Sequence, residues 1–247
     1  MFLAAVPALL LMTACSATPF GSAVMASDST VTEKITVPTF TKVDISELYN
    51  AEITTGKDFA VELTVPANFS EYYSVHVDDG ELVAERTGDV NIRFKSRKDH
   101  PRLTITMPAV NALEVSGQSS VRLNGDIDAT EFEAEVSGQS SLVIGNITGQ
   151  YAEVTVKGQS SFSADSMDVY NSKVLVSGQS DAKVKYIGGE RFMGNASGQS
   201  NLAVGELNTL MSKLHSGGQS DIQVSEGSGS IDSSTSGQSI LRIARRK

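Results

Sequence analysis

The sequence has no tryptophan, one cysteine, six prolines and three histidines in 247 residues. Each shortage excludes something. A lone cysteine, Cys15, cannot build an internal disulfide framework or a cysteine-ligated zinc site. His76, His100 and His215 are scattered, and none has a partner at a ligand spacing such as His-x-x-x-His. Basic residues are the minority, 20 against 29 acidic, and a formal charge of −9 leaves no basic footprint for nucleic acid. There is no nucleophile elbow, phosphate loop, EF-hand loop or Gly/Asp-rich calcium nonapeptide. No long helical periodicity appears; residues 45–51 and 67–73 could hold one helical turn at most. With 40% apolar and 20% charged residues, the chain can still bury a sizeable core.

Charge is also missing from the N-terminus, where no charged side chain precedes Asp28. The apolar run of residues 1–14 is shorter than the roughly 20 residues a membrane-spanning helix needs. It has the length of a secretory signal peptide without the usual basic start, which leaves room for a start further upstream. Met12-Thr13-Ala14-Cys15 resembles a bacterial lipobox, which implies that Cys15 is lipidated and becomes the mature N-terminus. Ser16, rather than aspartate, resembles lipoproteins sorted to the outer membrane. Residues 15–34 then read as the lipidated cysteine and a flexible tether of small polar residues.

What is abundant is glycine, and it is periodic. Gly-Gln-Ser occurs seven times, starting at Gly117, Gly138, Gly158, Gly178, Gly198, Gly218 and Gly237, at spacings of 21, 20, 20, 20, 20 and 19. Apolar columns keep step with it. Four residues after each glycine stand Val121, Leu142, Phe162, Ala182, Leu202, Ile222 and Leu241; two before stand Val115, Val136, Val156, Val176 and Ala196, then Ser216 and Thr235. These columns alternate with polar positions, the period of a strand. A repeat of about 20 residues is too short for a propeller blade and lacks the helix of a leucine-rich horseshoe. It suits one coil of a parallel β-helix, in which each column becomes a ladder along the stack. By parity, the glycine is expected at an inward corner with no room for a side chain. The serine two residues on is expected to be buried and hydrogen-bonded. Gln118, Gln139, Gln159, Gln179, Gln199, Gln219 and Gln238 are expected to form an outward amide ladder, the candidate contact row.

Residues 35–110 carry strand grammar without the tripeptide, as in Ala60-Val61-Glu62-Leu63-Thr64-Val65-Pro66 and Leu103-Thr104-Ile105-Thr106-Met107. They are expected to form irregular early coils and a cap that shields the end of the stack, with the seven repeats occupying 111–247 of a single domain, 35–247. Arg93, Lys95 and Arg97 alternate with Ile92 and Phe94, which would set three cations on one strand face as an anion patch; a merely solvated face is the plainer reading. From 111 to 241 the chain holds 7 basic and 15 acidic residues, whereas four of the last six are basic. That tip reads either as charge guarding an edge strand or as a contact for an anionic surface or a head-to-tail partner.

Val115-Ser116-Gly117-Gln118-Ser119 and its six echoes, with Phe40-Thr41-Lys42-Val43-Asp44-Ile45, Asp79-Gly80-Glu81-Leu82 and Leu103-Thr104-Ile105-Thr106-Met107-Pro108, resemble the putative auto-transporter adhesin head GIN domain family over roughly residues 35–245. The resemblance implies a right-handed parallel β-helix and a Gram-negative envelope location. It brings no catalytic residue, cofactor or metal. Many members carry Ala or Asn where this chain has Gln. The expected partner is a protein or glycan at the cell surface, alongside the membrane holding the lipid; a homo-oligomer is also open. One rival is a β-helix polysaccharide lyase or hydrolase using Glu131, Glu133 and Glu135 with Asp126 and Asp128 nearby. It would have no loops to form a cleft and only Tyr151, Tyr170 and Tyr186 for sugar stacking. Others are a purely structural periplasmic scaffold and an ice-binding surface, which would want threonine rows.

Overall fold

The computed structural model describes residues 23–245. Cys15, the lipobox and the signal segment lie outside the described residues, as do Arg246 and Lys247. The strands are β1 (Val24–Met25), β2 (Thr30–Ile35), β3 (Lys42–Ile45), β4 (Asn50–Thr55), β5 (Ala60–Pro66), β6 (Tyr73–Asp78), β7 (Glu81–Arg86), β8 (Ile92–Arg93) and β9 (Arg102–Met107). They continue as β10 (Ala112–Val115), β11 (Ser120–Asn124), β12 (Ile127–Val136), β13 (Ser141–Val156), β14 (Ser161–Val176), β15 (Asp181–Ala196), β16 (Asn201–Gly218), β17 (Asp221–Gly237) and β18 (Ile240–Arg245).

From β10 onward the stack follows chain order, every pairing is parallel, and the chain forms a β-solenoid of about seven turns. Each coil has three sides. In β13 the alternation of buried and exposed residues breaks after Ile144 and again after Ile147, and pairing with β14 skips Gly145 and Gln150. The sides are therefore 141–144, 146–149 and 151–156, with the Gly-Gln-Ser corner closing the coil. The expected columns are in register: Leu142, Phe162, Ala182, Leu202, Ile222 and Leu241 are successive partners. Burying each of the large side chains Leu142, Phe162, Leu202 and Ile222 contributes about 1.5–3 kcal/mol, and it is the repetition of that gain that stabilises a fold with no layered sandwich.

The cap has a form that chain order does not suggest. β3 and β4 lie directly against β10 and β11, with Val43 opposite Leu113 and Ile53 opposite Leu123. Residues between β4 and β10 are looped out to the far side of that first coil. There β7 and β9 make one further parallel layer, on β3 and β4. Antiparallel β6, β5 and β2 then close the end. The switch to antiparallel pairing ends the solenoid, and the outermost strand β2 carries Thr30, Thr32 and Lys34, polar chemistry that discourages pairing with another chain.

Two expectations are corrected here. The stretch read as a tether is ordered well before residue 35: Thr30–Ile35 pairs with β5, and Val24–Met25 pairs with β8. Three consecutive β-branched residues, Thr30, Val31 and Thr32, give it strand propensity that a reading of small polar composition overlooked. Arg93, Lys95 and Arg97 do not share a strand face either. β8 ends at Arg93, and Arg97 opens a 3-10 turn (Arg97–Asp99) capped by Ser96, whose hydroxyl accepts from Lys98 N–H while Asp99 accepts from Ser96 N–H. Lys95 is paired with Asp28, so the anion patch is split and partly neutralised.

Candidate binding surfaces

The corner fixes everything outward of it. All seven repeat glycines sit at φ between +75° and +84°, the left-handed region. They are exposed, not inward as parity suggested. The reason for glycine is different: a Cβ at Gly178 would stand 2.6 Å from the carbonyl oxygen of Gly158, and at Gly138 2.5 Å from that of Gly117. That carbonyl is engaged, since it accepts the N–H of the next coil's glutamine: Gln139 to Gly117 at 2.8 Å, Gln179 to Gly158 at 2.7 Å, and so on to Gln238 on Gly218. The parallel ladder thus runs unbroken around the turn.

The serines are buried as expected from Ser119 to Ser220. In the early coils each hydroxyl accepts the N–H of the serine one coil before, as Ser140 Oγ does from Ser119 at 3.3 Å. In the late coils it points to carbonyls instead: Ser220 Oγ lies 2.9 Å from Ala196 O and 2.7 Å from Gly217 O. The column is a hydrogen-bonded spine.

The glutamines point out, and five of them are linked. Gln159 Nε2 donates to Gln179 Oε1 at 3.3 Å, Gln179 to Gln199 at 3.1 Å, Gln199 to Gln219 at 3.1 Å and Gln219 to Gln238 at 3.4 Å. Each amide is exposed, and neighbours in the row are one strand spacing apart, about 4.8 Å. The carboxylates named for a lyase divide: Glu131, Glu133 and Glu135 share the outward face of β12, whereas Asp126 and Asp128 lie on another side of the coil. Asp126 accepts from Asn146 on another side of the coil, Glu135 is held by Lys157 at 2.5 Å, and Glu131 and Glu133 are exposed. Tyr151, Tyr170 and Tyr186 also fall apart: Tyr151 donates to Glu153, and its hydroxyl pKa is pushed up to about 12, chiefly by that bond. His76, His100 and His215 remain separate, on Ser74, Phe94 and Ser234 respectively.

One group was missed. Asp44 lies in register with Glu114, which lies in register with Glu135. Burial, then the charges of Glu114, Glu81 and Glu85, push its carboxyl from 3.8 up to about 6. The signal lay in the likeness of Val43-Asp44-Ile45-Ser46 to Leu113-Glu114-Val115-Ser116, hidden by the insertion between them. The folded chain keeps this proton where the unfolded chain releases it, so ionised Asp44 costs stability as pH rises from about 4 through 6. Discounted for solvent screening of a half-exposed group, the cost is about 1 kcal/mol. Asp44→Asn is therefore expected to raise stability by about that amount at pH 7 and by nothing at pH 4. Urea midpoints at the two pH values check it; equal gains at both would remove the electrostatic cause.

A long parallel solenoid whose corners project one side-chain type in a row defines a class, the β-solenoid repeat module. Within it, the chain belongs to the family described as putative auto-transporter adhesin, head GIN domain, whose model matches residues 39–245. Crystal structures of similar fold include a putative adhesin from Bacteroides fragilis NCTC 9343, with a TM-score of 0.76, 17% identity and coverage of 90% of this chain and 100% of that one. A putative lipid binding protein from Parabacteroides distasonis ATCC 8503 scores 0.75 at 12% identity, covering 90% and 99%. A putative adhesin from Parabacteroides merdae ATCC 43184 scores 0.66 at 13%, covering 90% and 98%. No curated protein matches the chain significantly. The family and the adhesin structures are described by attachment, not by an enzymatic activity.

Proposed function

We propose that this chain is a non-enzymatic interaction module of the bacterial cell envelope, anchored through lipidated Cys15 and presenting its solenoid to a protein or glycan at the cell surface. The observation that carries the reading is the exposed amide row from Gln159 to Gln238, five in-register donor and acceptor groups on a rigid edge. Repeated identical groups at one spacing suit a repetitive partner, because many weak contacts on one rigid body add through effective concentration. The membership of an adhesin family supports it.

The test replaces Gln159, Gln179, Gln199 and Gln219 with alanine together. Exposed amide–amide bonds contribute little net stability, about 0.5 kcal/mol each at most, so the fold is expected to survive, as read by circular dichroism. Attachment of cells displaying the chain to a glycan or matrix array is expected to be lost. Digestion of the repeat region by protease added to intact cells confirms that the solenoid faces outward. Unchanged attachment by the folded variant would sink the contact row. Protection from the protease would leave a periplasmic scaffold in place of an adhesin.

A further inference from the structure

The third side of each coil changes character at one level of the stack. Its outward column through Glu133 and Glu153 continues as Lys173, Met193 and Lys213. The column beside it runs Glu131 and Tyr151, then Asn171, Arg191 and Met211. The third runs Asp44, Glu114, Glu135 and Thr155, then Leu175, Asn195 and His215. The first column changes sign between β13 and β14, where Lys173 bridges back to Glu153 at 2.8 Å; the second loses its carboxylate after Glu131 and gains Arg191, which pairs with Glu190 at 2.7 Å, and the third loses its carboxylates after Glu135. On one half is a shallow depression of about 450 Å³ bordered by Glu81, Glu114, Glu133, Glu135 and Glu153, with Lys42. On the other is one of about 500 Å³ bordered by Phe192, Met193, Met211, Lys173, Arg191 and Lys213. Met193 and Met211 are 44% and 45% exposed, and Leu210 at the adjoining corner is 68% exposed. Large apolar side chains in that state on a parallel solenoid face are unpartnered surface.

We propose that this side is a self-association surface, occupied by the same side of a second copy turned about a two-fold axis that passes between β13 and β14. A side whose two halves carry opposite charge is complementary to itself under that operation and to nothing of uniform charge. The axis sets β12 against β15 of the other copy and β10 against its β16. Glu131 then faces Arg191, and Glu114 faces His215 with Lys213 beside it, twice per dimer, while both methionine patches leave water. The side is about 20 Å along the strands and about 25 Å across six of them, so a dimer covers about 1,000 Å² in total, the lower bound for a specific interface. The association is therefore weak and electrostatically steered, with the acid halves keeping copies from pairing in any other register.

Sedimentation velocity on the full chain at about 10–200 µM tests it. In about 50 mM salt a concentration-dependent dimer is expected, weakened roughly tenfold or more in about 500 mM salt. Arg191→Glu/Lys213→Glu makes the side largely acidic, and Glu114→Lys/Glu133→Lys makes it largely basic. Each variant alone is expected to stay monomeric, and an equimolar mixture to form a one-to-one heterodimer. A wild type that is monomeric throughout at low salt overturns the proposal without recourse to any variant. So does a variant, folded by circular dichroism, that self-associates as the wild type does, or a mixture that stays monomeric.

Discussion

Gly178→Ala is expected to destabilise the solenoid by about 3 kcal/mol, and Glu47→Gly to stabilise it by about 1 kcal/mol. Both follow from the corner. At Gly178 the backbone stands at φ +81°, where a side chain costs about 1–2 kcal/mol before any contact is counted. The added Cβ would also lie 2.6 Å from Gly158 O. The obstacle is backbone, and that oxygen accepts Gln179 N–H at 2.7 Å, so it cannot retreat without breaking the ladder. Glu47 is the same corner in the layer before Gly117: its φ is +72°, its carbonyl accepts Gln118 N–H at 2.6 Å, and Ser119 Oγ reaches it at 3.1 Å. A non-glycine residue there already carries the left-handed strain, and its ion pair to Arg86, at 3.8 Å, is loose. Opposite signs for the two exchanges, read as urea midpoints, are the signature of the corner. A Gly178→Ala loss under about 0.5 kcal/mol would mean that the corner relaxes and that the glycine column has some other cause.

The solenoid was legible because it repeats. A column needs only a fixed spacing to be seen, and spacing survives in sequence even where single residues vary, as Ala182 does between Phe162 and Leu202. The buried serines and the outward glutamines followed from the same parity. The glycine's environment did not. Parity assigns a face, whereas the corner has left the strand geometry on which parity rests, and the clash that selects glycine is with the preceding coil along the axis. The cap was the hardest part. Ser46-Glu47-Leu48-Tyr49 is a corner without its marker: glutamate holds the glycine's place, and Tyr49 fills the serine's, its hydroxyl donating to Glu85 O at 3.0 Å. With the tripeptide gone and the chain looped out between β4 and β10, nothing local records that Val43 and Leu113 are neighbours. The acidic half of the third side depends on that long-range pairing, so it was invisible for the same reason.

Phe192→Ala is expected to cost about 4 kcal/mol and to split a single unfolding transition in two. Phe192 is 2% exposed, and its column neighbours in the coils on either side are Ser172 and Ser212. Two residues along, Gly194 leaves space beside the ring: a Cβ there would come within 3.1 Å of Phe192 Cε1 and 2.9 Å of Leu202 and Leu214. The ring thus stands between two serines of its own column and beside Gly194, and its removal opens a void that those three residues cannot refill. A stacked fold responds to such a void locally, since each coil touches only its neighbours. Weakening β15 uncouples the capped end from the last coils, so a broadened or two-step urea curve with a lower apparent slope is expected. Gly194→Val separates this cause from general disruption. Alone it overfills the layer and should destabilise; added to Phe192→Ala it should return part of the loss, a coupling opposite in sign to the sum of the single effects. Two losses that simply add would show that Gly194 and Phe192 do not share the space, and that the ring is held by the apolar columns of the neighbouring sides instead.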